Sequence, residues 1–225
     1  MPGPAGRGHS SVQHSPMNRT LPLAVVILLT GILAWLLWFW EPDLGSEARH
    51  QTLDLAAPPA GGDFRLESPG GTLDLETLRG KVVLIYFGYT WCPDICPTNL
   101  AFIANALKDL TPEELAQVQV LFVSVDPERD DLARLAEYTA YFHPGILGVT
   151  GTPEELAAAA RLYGAAYRRT EQDGSAMGYL VDHSAYTYVI DPLGRLVATL
   201  DHATPSDTIA AVIRQNLGRP DKPAD

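Results

Sequence analysis

Residues 82–98 read VVLIYFGYTWCPDICPT and lay out a strand, a loop and the start of a helix in one pass. Val82 to Gly88 is a continuous apolar run, the pattern of a strand covered on both faces. From Pro97 to Leu110 the sequence predicts a helix that carries its proline near the N-terminus, where a missing N–H costs little. Working outward, strand and helix patterns alternate. A capping box, Thr111/Glu114, opens a short helix, and Val118 to Val125 reads as a second strand leading into DPERDD. Asp130 to Phe142 is a helix and Ile146 to Thr150 a strand, and Thr152/Glu155 caps a further helix through Tyr163. Tyr186–Ile190, the turn DPLG and Arg195–Leu200 predict a hairpin, followed by a helix from Pro205 to Leu217 capped by Thr204. Strand-helix-strand units with a terminal hairpin and helix give an α/β sandwich.

The chain has 225 residues, with 16 Lys+Arg against 27 Asp+Glu for a net charge of −11, and a mean hydropathy of +0.00. The neutral average conceals two unlike parts. Residues 21–40, LPLAVVILLTGILAWLLWFW, are free of charge over twenty positions, long enough to span a bilayer core of roughly 30 Å. Trp35, Trp38 and Trp40 crowd one end as an interfacial belt does. No A-x-A-like cleavage site follows, so the segment predicts an uncleaved transmembrane helix.

Arg7 and Arg19 precede this helix and Glu41, Asp43 and Glu47 follow it, which places residues 1–20 in the cytoplasm and the rest across the membrane. Residues 41–61, rich in Pro, Gly and Ala, read as a flexible tether, residues 62–217 as the folded domain, and 218–225 as a frayed tail. Without Arg7 and Arg19, 14 basic residues remain against the 27 acidic ones, a charge of −13. An exported domain this acidic is no nucleic-acid binder, because clustered Lys/Arg are absent.

Two cysteines are too few for a multi-bridge scaffold. Cys92 and Cys96 follow the first core strand, at the carboxyl end where open α/β sheets bind ligands, and the adjoining helix N-terminus favours thiolate. Their C-x3-C spacing lets the sulfurs join in a disulfide or splay to grip one ion. Thiolates select Cu(I), zinc or iron-sulfur clusters, and two of them need a further ligand. Among six histidines, His9 and His14 fall in the cytoplasmic tail and His50 in the tether. His143 is placed to cap a helix C-terminus, His202 to sit in a surface loop, and His183 in a loop before a core strand, where hydrogen bonding and metal ligation are both open.

Three motifs together, YFGYTWCPDICP at 86–97, FVSVDPERD at 122–130 and YLVDHSAYTYVIDPLGRL at 179–196, resemble the Sco/SenC family of membrane-tethered copper proteins. The resemblance covers residues 62–217 and implies a thioredoxin-like domain. It matches Cys92 and Cys96 to the family's thiolate copper ligands and His183 to its imidazole ligand. Two sulfurs and one nitrogen suit three-coordinate Cu(I), and an added oxygen or water completes a Cu(II) site. Asp126 and Asp130 are expected to shape a turn and cap the next helix, with their loop near the metal. Asp182 is a candidate to orient His183 from the outside of the site. Met177 is a soft donor on chemical grounds alone.

The resemblance implies a copper chaperone, not a turnover enzyme, that delivers copper to the dinuclear site of cytochrome c oxidase subunit II and is served by a copper donor and a thiol reductant. The competing reading is a thiol-disulfide oxidoreductase using the Cys92–Cys96 pair; a copper- or redox-responsive signalling module shares the same site. The stretch His183-Ser184-Ala185-Tyr186 has no proline where disulfide-exchanging relatives of the fold place one, which favours copper. Trp91 stands where the family often has a polar residue or histidine. Arginine outnumbers lysine 13 to 3, pointing to a bacterial inner membrane and periplasm, with a mitochondrial inner membrane as the alternative.

Overall fold

The computed structural model describes residues 20–39, 52–171 and 178–217. It divides into two compact units at Glu47/Ala48. The first contains α1 (Thr20–Phe39), an uninterrupted α-helix. Val25, Val26, Ile27, Leu28, Leu29, Ile32 and Leu33 on it are all exposed. Among the described residues no helix is long and apolar enough to cross a membrane. The expected cytoplasmic tail through Arg19, Trp40, residues 41–51, Met177 and the expected frayed tail from 218 lie outside the described residues, as do His9, His14 and His50.

The second unit begins with a hairpin of β1 (Arg65–Ser68) and β2 (Gly71–Asp74), then a 3-10 turn at Leu75–Leu78. β3 (Val82–Gly88), α2 (Ile95–Lys108), α3 (Pro112–Ala116), β4 (Val118–Ser124), α4 (Leu132–Phe142), β5 (Ile146–Val149) and α5 (Pro153–Leu162) follow in alternation. A second hairpin pairs β6 (Tyr167–Glu171) with β7 (Tyr179–His183). The chain closes with β8 (Thr187–Ile190), β9 (Leu196–Leu200) and α6 (Ser206–Leu217).

Five strands form the central sheet in the order β5-β4-β3-β8-β9. β3 pairs with β4 and β4 with β5 in parallel, while β8 and β9 run antiparallel. Every residue of β3 is buried, as its apolar run requires. α2 packs on α4 and α6, closing the core over the middle of the sheet. The Thr111/Glu114 and Thr152/Glu155 capping boxes both form, each threonine hydroxyl accepting from the glutamate N–H and each glutamate returning the bond.

Three local expectations change. α2 starts at Ile95, so Pro97 is its third residue; the first turn has no intrahelical partner for that N–H, and the proline is tolerated there. The cap of α4 is Asp131, which accepts from Arg134 N–H, and Asp130 serves elsewhere. Residues 52–61, expected to be tether, run along the folded unit: Leu53, Ala56, Ala60 and Gly61 donate their N–H groups to the carbonyls of His183, Gly164, Leu162 and Leu162.

Candidate metal centre

β3 ends at Gly88, and the loop from Tyr89 to Asp94 turns the chain into α2. Cys92 lies in that loop and Cys96 is the second residue of the helix. The turn brings the Cys96 N–H to 3.4 Å from the Cys92 sulfur, one of the helix's otherwise unused first-turn donors aimed at a sulfur. Neither cysteine is joined in a disulfide, and both are buried. Gly88 is needed because the second cysteine packs against it: a Cβ there would lie 2.7 Å from the Cys96 Sγ and 2.8 Å from a ring carbon of Phe122.

His183 arrives from a different part of the chain. It is the last residue of β7, fully buried, and its Nε2 lies 3.1 Å from the Cys96 Sγ. Its Nδ1 lies 3.0 Å from the Ser184 carbonyl. A carbonyl only accepts, so the Nδ1 carries the proton and the Nε2 lone pair faces the sulfurs, the state a metal ligand needs. Tyr86 and Tyr89 wall the imidazole edge-on, each with its ring centroid 6.0 Å away. One ligand atom from each of Cys92, Cys96 and His183 lies within 4.8 Å of the others, and all three residues are buried. Sequence placed His183 in a loop before the core strand; the structure puts it at a strand end, with Thr52 bridged to it and Leu53 bonded to its carbonyl.

Burial pushes the Cys96 thiol well above its ordinary value, and the neighbouring Cys92 adds to the rise. The helix N-terminus was expected to favour thiolate, but for Cys96 desolvation outweighs it. An ion that takes Cys96 as thiolate must therefore displace its proton. Burial also raises the Tyr86 and Tyr89 phenols, so both stay neutral.

The acidic residues near the site have structural partners. Asp130 accepts from the N–H and hydroxyl of Thr90 and from the Ser124 hydroxyl, at 2.8, 2.6 and 2.6 Å, and so ties the cysteine loop to the end of β4. Asp126 pairs with Arg129 at 2.5 Å and accepts from the Tyr179 hydroxyl at 2.7 Å. Asp182 accepts from Arg168 at 3.1 Å and from the Thr170 hydroxyl at 2.9 Å, across the β6–β7 hairpin. The contact that sets the imidazole tautomer is the Ser184 carbonyl, a backbone group that no side-chain motif announces.

Arg129 is the residue that sequence left unassigned. Its guanidinium lies 3.6 Å from the centroid of Tyr179 on β7 and donates to the Tyr179 carbonyl at 3.1 Å. It also lies 5.6 and 5.9 Å from the rings of Tyr89 and Trp91 in the cysteine loop, so one cation joins both halves of the cluster. Trp91 is 45% exposed at the lip beside Cys92. His143 caps α4 as expected, but as an acceptor: its Nδ1 takes the Gly145 N–H, and burial holds it below the usual histidine value. His202 is half-buried in the β9–α6 loop, and Thr204 donates its hydroxyl to the Asp201 carbonyl.

A family model described as SCO1/SenC matches residues 54–218. The chain belongs to the SCO1/SenC family. A mitochondrial SCO2 homologue from Bos taurus is 35% identical over 219 residues, covering 96% of this chain and 82% of the relative. Among solved structures, Bradyrhizobium japonicum ScoI with copper bound is 35% identical with a TM-score of 0.64, covering 70% of this chain and 99% of that one. Yeast Sco1 with copper bound is 37% identical with a TM-score of 0.63, covering 72% and 90%. The α/β arrangement is thus the thioredoxin-like Sco fold. Its buried pair of thiols and imidazole suits copper, being two soft donors and one intermediate donor at a spacing that one ion can bridge.

Proposed function

We propose that this protein is a membrane-anchored copper chaperone. It binds one copper ion through Cys92, Cys96 and His183 and delivers it to the dinuclear site of cytochrome c oxidase subunit II. The observation that carries the reading is the convergence of two unbridged thiols and a correctly tautomerised imidazole within 4.8 Å in a buried cluster. Copper is the cargo. Cys92 adjoins the exposed Trp91 and Pro93, so an incoming ligand from the acceptor reaches Cys92 before Cys96 or His183, and transfer proceeds by stepwise ligand exchange. A Cys92–Cys96 disulfide has no thiolates, so loading needs a thiol reductant as well as a copper donor.

The row of exposed aliphatic side chains on α1 supports a single-pass anchor, since lipid is the solvent that suits them. The charge arrangement around residues 21–40 supports a cytoplasmic N-terminus and a periplasmic domain in a bacterial inner membrane. The mitochondrial names of the relatives support the mitochondrial inner membrane as the alternative.

A second reading, reduction of the acceptor's cysteines, is favoured by the closeness of two thiols not joined in a disulfide. The two separate in one experiment. Reduced, copper-loaded protein is mixed with the copper-free, reduced acceptor domain of subunit II, and copper is followed to its new owner. The chaperone reading expects transfer that His183→Ala abolishes. A parallel mixture of reduced, copper-free protein with the oxidised acceptor reads reduction; reduction there that His183→Ala leaves unchanged, with no copper transfer in the first mixture, contradicts it.

A further inference from the structure

Tyr86 stands on β3 in the wall of the cluster, fully buried, with its ring edge-on to His183 and stacked at 6.3 Å on Phe122. Its hydroxyl is buried and meets no partner at hydrogen-bond geometry among the described residues. Leaving a donor unpaired in a core is unfavourable, and a phenylalanine would fill the same space without that cost. A change at the neighbouring site can give this hydroxyl an acceptor.

The neighbouring sulfur supplies that acceptor. A neutral thiol is a weak acceptor, whereas a thiolate accepts strongly. Tyr86 and Gly88 are two apart on β3 and so share one face of the strand. That face is where Cys96 packs: a Cβ on Gly88 would lie 2.7 Å from the Cys96 Sγ and 2.8 Å from the Phe122 ring on which Tyr86 stacks. Two thiolates around a monovalent cation leave a negative charge in a dry site, and such a charge needs donors.

We propose that Tyr86 is a positioning residue of the metal site, donating its hydroxyl to the Cys96 sulfur when that sulfur is a metal-bound thiolate. The proposal rests on Cys92, Cys96 and His183 as the copper ligands. Tyr138 on α4 supplies an internal control. Its hydroxyl is also buried without a partner among the described residues, while its ring packs from α4 against Phe122 and Phe142, with centroids 5.5 and 5.3 Å away.

The experiment compares full-length wild type, Tyr86→Phe and Tyr138→Phe, purified in detergent and reduced. It measures Cu(I) affinity against a chelator of known strength, the sulfur-to-copper charge-transfer band of the Cu(II) form, and the melting temperature without copper. Tyr86→Phe is expected to weaken Cu(I) binding by on the order of tenfold to a hundredfold, the worth of a hydrogen bond to a charged group. Its charge-transfer band is expected to move to longer wavelength, because the thiolate loses a stabilising donor. The copper-free protein is expected to melt no lower than wild type. Tyr138→Phe is expected to change affinity less than about threefold.

Unchanged affinity in Tyr86→Phe, or equal losses in both variants, overturns the proposal, and so does a lowered melting temperature with an unmoved band. Failure of the wild type itself to bind copper overturns the ligand assignment instead, so the two failures are distinguishable.

Discussion

Cys92 and Cys96 sit on one continuous piece of chain, in the loop after a fully buried strand and in the first turn of the helix that follows, whereas His183 comes from a hairpin outside the five-stranded sheet, 87 residues beyond Cys96. The sheet core fixes the sulfur half. The imidazole half is held from outside, by the Thr52–Leu53 segment on one side and the Arg129–Tyr179 contact on the other. A preassembled thiol pair and a separately mounted third ligand suit the uptake and release of an ion that the proposed function requires.

The ligands themselves give the largest expected effect. Cys96→Ser and His183→Ala should each weaken Cu(I) binding by more than about a hundredfold, since even residues outside a metal's own ligands are worth ten- to a hundredfold. Competition with a chelator of known affinity reads the change. If His183→Ala binds as tightly as wild type, the two halves do not form one site.

Next comes the sulfur half alone. Asp130→Ala leaves the Thr90 N–H, the Thr90 hydroxyl and the Ser124 hydroxyl without their common acceptor, and should cost on the order of 3 kcal/mol in urea unfolding of the copper-free protein. A loss below 1 kcal/mol would show that the cysteine loop does not depend on that carboxylate. Gly88→Ala sharpens the point: the added methyl must move Cys96, so copper affinity should fall even if the protein still folds.

Leu53→Pro tests the imidazole half. It removes the N–H donated to the His183 carbonyl and should weaken copper binding by about fivefold, with the reactivity of the thiols unchanged. Equal damage to both would mean the halves are not separately mounted.

The smallest effect is one of pH. The folded-state value of Cys96 is raised above its ordinary 9.0, so its contribution to stability is present below pH 9 and is lost as pH rises through the folded value. The copper-free protein should therefore lose stability above pH 9, by at most about 1.4 kcal/mol per pH unit for one group. The copper-loaded protein, its thiolates already formed, should not. A flat alkaline profile for the copper-free form would contradict the burial assigned to Cys96.

Most of the frame was legible in the sequence because it follows hydrophobic runs and caps. β3, β4, β5, the β8–β9 hairpin and both capping boxes are cases in point. The β1–β2 and β6–β7 hairpins were not legible. Arg65–Ser68 buries alternate positions over only four residues, and Tyr167–Glu171 is a polar edge with no apolar face. The missing hairpin is also why His183 looked like a loop residue. The thiols could be read from local spacing, but the third donor depended on a pairing between strands that composition does not encode. The Ser184 carbonyl, the Gly88 contact and the reach of Arg129 lie further out of sight, because backbone acceptors, close approaches and bridges between distant elements leave no periodic trace.

The central claim is tested most directly by X-ray absorption at the copper edge on the reduced, Cu(I)-loaded full-length protein and its His183→Ala variant. The account predicts one copper per chain with two sulfur ligands and one imidazole nitrogen, the nitrogen disappearing in the variant. Coordination by sulfur alone in the wild type, or copper shared between two chains, would contradict it.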